Sequence, residues 1–326
     1  MANGYSVTEL SLQPEKEVLT AFYDFHKRLL ATAGKEPKTE QAHNARQLEL
    51  LAIPRRHECI LQRDGIVIGR LEVSAYKTSS SQNALQVAGE LLEPISDESL
   101  YAEVMNLIEK WASIYNTTHA FIKTTKPWHK PLAHFLKGEA FNEQLYMDLL
   151  TKNINRSLLE QWKAEANLDG LREEIITSVP TEYLDSVVAI WNRGLRDIPN
   201  HQPEFTPYFT VEEELIKTEE RLKANTLRPT FMLMNAANDI CGFSNITIWQ
   251  NNKTAAQALT WVAPELRNRG LGKYIKARMT MEVADKYPDI EKIATDCFVH
   301  NLPMRHINEL AGFEYTYTGY HYRVTF

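Results

Sequence analysis

The chain has 326 residues, 44% of them hydrophobic, with a net charge near −6. That length and apolar content suit two globular domains with separate cores, and the mildly acidic balance excludes a general electrostatic pull toward nucleic acid or anionic membrane. The three cysteines, Cys59, Cys241 and Cys297, are odd in number and far apart, so free thiols in a reducing, cytoplasmic setting are expected rather than a disulfide framework. The opening MANGYSVTELSLQPEKEV lacks the basic start and apolar run of a leader. No apolar stretch approaches the roughly 18 residues a membrane helix needs.

In chain order, "EVLTAFYDFHKRLL" spaces its apolar residues three and four apart and predicts a helix ending near Gly34. The stretch from Cys59 to Pro94 predicts a strand, a tight turn at Asp64–Gly65, a strand containing Gly69, a polar loop and a third strand. An amphipathic helix ("ESLYAEVMNLIEKWASIYN"), a strand ("HAFIKTT"), a short helix and a strand ending "LYMDLL" follow. The polar segment 152–170, part helical, links to a second half that repeats this plan. "TEYLDSVVAIWNRGL" places Leu184, Val187, Val188 and Trp191 on one face, and Thr210 with Glu213 has capping-box spacing. Another three-strand meander contains Gly242 and passes a turn at Asn238–Asp239. It leads through Pro264 to a helix ("GKYIKARMTMEVADKYP"), a strand ("KIATDCF"), a short helix and a last strand. Gly69 and Gly242, Pro94 and Pro264, and Phe141 and Phe313 keep a nearly constant offset. Such an offset marks an internal repeat. The predicted fold class is mixed α/β (α+β): a mostly antiparallel sheet flanked by helices, in two tandem domains at 1–151 and 171–326 joined by the linker 152–170.

The densest chemical signal is "ELRNRGLGK", between the strand "QALTWVAP" and a helix. A helix N-terminus offers unpaired N–H groups and a partial positive charge, and glycine lets a phosphate approach them. Arg267, Arg269, Lys273, Lys276 and Arg278 read as a basic cluster that suits a polyanionic cofactor carrying a diphosphate. Neither the dinucleotide fingerprint G-x-G-x-x-G nor the loop G-x-x-x-x-G-K-[ST] is present. His129 and His134 are five apart and His300 and His306 six apart, so neither pair makes a two-ligand helical face and no metal is expected. In the first half the matching segment is "PISDESLYAE", with Glu93, Asp97, Glu98 and Glu103 in place of glycine and basic residues, so that helix start is capped internally and repels phosphate. Trp128, His129 and His134 in "TTKPWHKPLAHF" are read as packing residues.

"RNRGLG" entered from a strand ending "VAP", followed by "TDCFVHNLPMRHINELAGFEY", resembles the acetyl-coenzyme A motif and the next block of the GCN5-related N-acetyltransferase (GNAT) superfamily. The resemblance covers residues 171–326 strongly and the first half through the repeat, in a tandem layout similar to the mycothiol-synthase type. It implies that acetyl-CoA is the co-substrate and that the backbone N–H groups of Asn268, Arg269, Gly270, Leu271, Gly272 and Lys273 cradle its pyrophosphate, with Arg267 in the same motif. It implies that the backbone of Trp261 and Val262 meets the pantetheine and the acyl carbonyl, where a donor opposes developing oxyanion charge, and that Asn301 contacts the pantetheine arm. The expected reaction is N-acetylation of a small-molecule primary amine by direct attack in a ternary complex. Nucleic acid and membrane are not expected as partners.

The family's usual general-acid tyrosine, four residues before the Gly–Phe corner, is replaced by Asn308. Tyr315, Tyr317, Tyr320 and Tyr322 crowd the last strand, and Tyr320 is taken as the acid. Asp296 and His300, on or just after the strand beside the cofactor, are the candidate bases. Cys297 lacks a partner that would lower its pKa, which argues against an acyl-cysteine. A non-catalytic acyl-CoA sensor and a nucleotide-binding module are the rival readings.

Overall fold

The computed structural model describes residues 4–32, 36–51, 55–78, 80–92, 95–124, 130–177, 179–199, 206–249 and 253–326. The repeat in sequence becomes a repeat of elements. The first run is β1 (Tyr5–Glu9), α1 (Lys16–Thr32), α2 (Glu40–Leu51), β2 (Arg56–Arg63), β3 (Ile66–Lys77), β4 (Asn83–Leu91), α3 (Glu98–Tyr115), β5 (His119–Lys123), α4 (Lys130–Phe135) and β6 (Glu139–Leu150). After α5 (Arg156–Glu165) comes the second run: β7 (Arg172–Ile176), α6 (Thr181–Arg196), α7 (Val211–Lys223), the short β8 (Thr226–Leu227), β9 (Thr230–Met234), β10 (Ile240–Trp249), β11 (Thr254–Val262), α8 (Leu271–Lys286), β12 (Lys292–Phe298), α9 (Leu302–Leu310) and β13 (Glu314–Thr325). Gly34, Glu93, Pro94, Trp128 and His129, which the sequence singles out, lie outside the described residues. The same is true of residues 200–205.

Two compact units form, and they do not follow the halves of the sequence: one is Met1–Asn142 with Gly319–Phe326, the other Glu143–Thr318. In the first, β1 through β4 pair antiparallel in sequence order, β4 runs parallel to β5, and the end of β13 pairs antiparallel with β5 from His321↔Lys123 to Thr325↔His119. In the second, β6 pairs antiparallel with β12 from Gln144 to Leu150, and β12 runs parallel to β11; β10, β9 and β7 continue antiparallel. The alternation along β6 explains its place, since Met147 and Leu149 enter the core under α8. Tyr322 and Val324 of β13 enter the core of the first unit around Trp111. The segment read as a linker is structural: Leu159 and Trp162 of α5 are buried in the second unit's core. At about 1.5–3 kcal/mol per fully buried large apolar side chain, α5 is anchored there.

Helix α2 is absent from the sequence reading. Its segment EQAHNARQLELL is polar, and the buried ones among its described side chains are His43, Gln47 and Leu51, so apolar spacing does not announce it. Helix α7 has the predicted capping box complete: Thr210 accepts from the Glu213 N–H and Glu213 from the Thr210 N–H. The three cysteines are free and buried. No helix among the described residues is long and apolar enough to cross a membrane.

Candidate functional site

The site belongs to the second unit and begins where two parallel strands part. β11 and β12 are paired from Thr254↔Lys292 only as far as Gln257↔Thr295, while both strands continue beyond. Immediately after the fork β11 carries a bulge: Ser244↔Thr260 and Ile246↔Gln257 leave Asn245 facing two residues, 258 and 259. A bulge adds a residue to one strand and re-aims its side chains. Thr260, like Gln257 and Ser244, therefore joins a buried hydroxyl–amide cluster, in which Gln257 Nε2 donates to Ser244 Oγ at 3.1 Å. Leu259 and Trp261 face α6 instead, over the backbone of Gly194, where a Cβ would lie 2.6 Å from Leu259 Cδ2.

Past the fork, "ELRNRGLGK" closes the end of a cavity of about 600 Å³. Gly270 is the N-cap of α8, with φ 77° and no side-chain cap on the helix. A left-handed φ costs an L-residue about 1–2 kcal/mol, and a Cβ at Gly270 would lie 3.3 Å from the Ala166 Cα. Glycine is thus favoured by conformation and by the close approach of the segment following α5. The helices α3, α5, α7 and α9 are each capped by a side chain, from Asp97, Asn155, Thr210 and Asn301. The first N–H groups of α8 lack such a cap and open onto the cavity, as a phosphate site requires.

Of the residues that the sequence assigns to cofactor binding, Trp261, Val262, Arg267, Asn268, Gly270, Leu271, Gly272, Lys273 and Asn301 line this one cavity. Arg269 does not. Its Nη2 donates to Asn167 Oδ1 and the Asp169 carbonyl, both at 3.0 Å, and its own carbonyl accepts from the Asn167 N–H, which ties the loop to the segment after α5. Asn301 caps α9 through Oδ1, accepting from the Met304 N–H, while also lining the cavity. Arg267 donates to the Val262 carbonyl at 3.2 Å and to Asp197 Oδ2 at 3.3 Å, and the same carboxylate oxygen accepts from Trp261 Nε1 at 2.8 Å. Asp197 therefore fixes both walls near the end of β11. Trp162 and Glu165 from α5, Asp197 from the end of α6, and Met304 and Ile307 from α9 also line the cavity. Sequence reading missed them; the only signal for α5 was Leu159 and Trp162 at helical spacing.

The expected basic cluster is dispersed by the helix. Arg278 forms a bidentate pair with Glu173, with Nη2 to Oε1 at 2.7 Å, and Tyr274 donates to the same carboxylate. Burial works to raise the Glu173 pKa, but those hydrogen bonds outweigh it and hold the carboxyl below its ordinary value. Lys276 turns inward and is 1% exposed. Its Nζ is 3.4 Å from Thr295 Oγ1 and 4.3 Å from the Phe313 ring centroid, and burial pushes it down to about 7. Asn308, at the usual tyrosine position, is wholly buried beside Cys297, whose thiol burial raises to about 11.

None of the three catalytic candidates lines the cavity. Asp296 alternates away from Thr295 and Cys297 on β12 and so faces the side of the sheet opposite α8; it accepts from Gln144 Nε2. His300 is exposed in the turn after β12. Tyr320 belongs to the first unit, where Lys130 Nζ lies 4.5 Å from its ring centroid. In that unit Asp97 caps α3 by accepting from the Leu100 N–H at 2.9 Å, filling the position that α8 leaves open. Among the described residues no group of three His, Cys, Asp or Glu side chains could hold a metal ion.

Residues 195–313 match the acetyltransferase (GNAT) family, a span that runs from the end of α6 through the fork, the glycine loop and α9. Over that span the chain is similar to the GNAT family. Solved structures extend the likeness of fold over the whole chain. A tandem GNAT protein from the clavulanic acid biosynthesis pathway matches at TM-score 0.68 and 15% identity, over 98% of each chain. A GCN5-related N-acetyltransferase from Sphaerobacter thermophilus matches at TM-score 0.62 and 11% identity, over 97% of this chain and 95% of that one. A probable N-acyltransferase from Enterococcus faecalis matches at TM-score 0.60 and 11% identity, over 98% of this chain and 71% of that one. No curated protein matches the sequence. The GNAT fold is therefore present in tandem.

Proposed function

We propose that the chain is an acetyl-CoA-dependent N-acetyltransferase acting on a primary amine through the cavity of the second unit, with the first unit not binding the cofactor. The observation that carries this reading is the uncapped, glycine-bearing start of α8 facing a cavity lined by the motif residues. The residues suit the group: the uncapped first N–H groups of α8 would take a diphosphate, and a Cβ at Gly270 would lie 3.3 Å from the Ala166 Cα. Trp261 and Val262, which line the cavity after the fork, would flank the arm, and Asn301 would offer it an amide N–H₂. Acetyl-CoA supplies a thioester whose carbonyl carbon bonds the amine nitrogen as the C–S bond breaks, the proton lost by the amine leaving with the thiol. The chain orients the two reactants, an effect worth several kcal/mol in intramolecular systems.

Asn308 has no acidic proton, so the proton reaches the thiol by another route, with solvent entering through the open cavity as the simplest carrier. The same residue favours a second reading, a non-catalytic acyl-CoA sensor. Release of coenzyme A thiol from acetyl-CoA across a panel of amines separates the two. Acceptor-dependent release supports the enzyme, whereas tight binding without release with any acceptor supports the sensor.

A further inference from the structure

A second, smaller cavity of about 100 Å³ lies within the same unit between α6, α7 and the strands β9 and β10. Its chemistry is unlike that of a packing defect. Arg221 and Arg228 both enter it and share one carboxylate oxygen, Glu214 Oε1, at 2.6 and 2.8 Å. Arg228 also donates through Nη2 and Nε to the Asn245 amide oxygen, and its guanidinium lies 4.9 Å from the Trp191 ring centroid. Arg221 Nη2 is taken by Glu214 and Thr218, while its Nη1 and Nε make no hydrogen bond to another described residue. Two fixed positive charges thus face one negative charge in a site walled by Val187, Trp191 and Phe243. Burial lowers the Arg228 pKa against the pull of Glu214, and Arg221 pushes the same way, as expected of a cluster with surplus cation.

The position matters as much as the charge. Asn245, which receives Arg228, is the residue that faces the β11 bulge. Phe243, in the wall of this cavity, is the cross-strand partner of Trp261, in the wall of the larger one. Directly opposed residues of antiparallel strands have Cα atoms about 4.5–5.5 Å apart, so a wall residue of one cavity sits one cross-strand step from a wall residue of the other. A guanidinium fork with free N–H groups matches a carboxylate, and the paired strands β10 and β11 carry a wall of each cavity.

We infer that the α6–α7 cavity takes the carboxylate of the acceptor, so that the acceptor class is a small molecule bearing both a primary amine and a carboxylate, such as an amino acid. This rests on the N-acetyltransferase reading above and narrows it. The test compares each amino acid with its decarboxylated amine, for example glycine with methylamine and lysine with cadaverine, in two assays: thiol release from acetyl-CoA and calorimetric binding to the chain.

The expected result is a preference of at least about tenfold in kcat/KM and in affinity for the acid over its amine, since a site built for a polar group rejects the analogue lacking it. In Arg221→Gln that ratio falls toward one. In Arg221→Lys, which keeps the charge and loses the fork, it falls part of the way. Equal turnover or equal binding of acids and amines by the wild-type chain overturns the inference, as does a ratio untouched by either variant. If no acceptor releases thiol, the acyltransferase reading fails, and the binding ratio still decides whether this cavity recognises carboxylates.

Discussion

Replacing Lys276 by methionine should make the protein more stable and flatten its pH dependence. Lys276 is 1% exposed and forms no ion pair among the described residues; its polar contact there is Thr295 Oγ1 at 3.4 Å, backed by the Phe313 ring. Burial lowers its pKa to about 7, outweighing Cys297 and Asp296, which pull the other way. The unfolded chain restores the ordinary value of 10.5. Between these values the unfolded state carries a proton that the folded state lacks, so stability rises with pH through the window and is lowest below pH 7. At 1.36 kcal/mol per pH unit the full difference is about 5 kcal/mol, of which about 2 kcal/mol falls between pH 7 and 9. Above pH 9 the buried Cys297 thiol, held up to about 11, works in the opposite sense, because the unfolded thiol ionises first. Urea unfolding at pH 7, 8 and 9, followed by tryptophan fluorescence, measures this. The wild-type midpoint should climb over that range, while Lys276→Met should start higher at pH 7 and stay level. A wild-type midpoint independent of pH, or a methionine variant less stable at pH 7, would refute the reasoning.

Three further outcomes follow from the same geometry. Asp197→Ala removes the oxygen that accepts from both Trp261 Nε1 and Arg267, and should raise the KM for acetyl-CoA several-fold; an unchanged KM would show that these walls are positioned by packing alone. Arg269→Ala should loosen the segment after α5, costing about 1–2 kcal/mol for hydrogen bonds from a charged donor, with hydrogen exchange rising first over residues 156–170. Treatment with a strong chelator should leave thiol release unaltered, and loss of activity that zinc or magnesium restores would contradict a mechanism built on backbone and side chains.

The repeat made most of the fold legible, because glycine, proline and phenylalanine punctuate both halves at matching offsets and the apolar spacing between them is regular. The pairing of β6 with β12, and of the end of β13 with β5, was hidden: strand partners distant in sequence are chosen by tertiary burial, as with Met147 and Leu149 or Tyr322 and Val324. The glycine loop before α8 was readable because glycine at positive φ and an uncapped helix start are local properties. Its basic residues were misjudged, since a helix sends Lys273, Lys276 and Arg278 in different directions and only the assembled core shows that Lys276 points inward. Asp197 and the pair Arg221 and Arg228 carried no signal, because what distinguishes them is the carboxylate or ring they meet across the fold.

The central claim is that the start of α8 holds the diphosphate of coenzyme A, and the direct measurement is calorimetric titration of acetyl-CoA into the wild-type chain and Gly270→Asp, with thermal melts of both as a check on folding. The account predicts binding by the wild type that desulfo-coenzyme A and coenzyme A displace and ATP does not. It predicts no measurable binding by a folded Gly270→Asp, whose added carboxylate occupies and repels at the cradle. Equal affinity in the two proteins would contradict it.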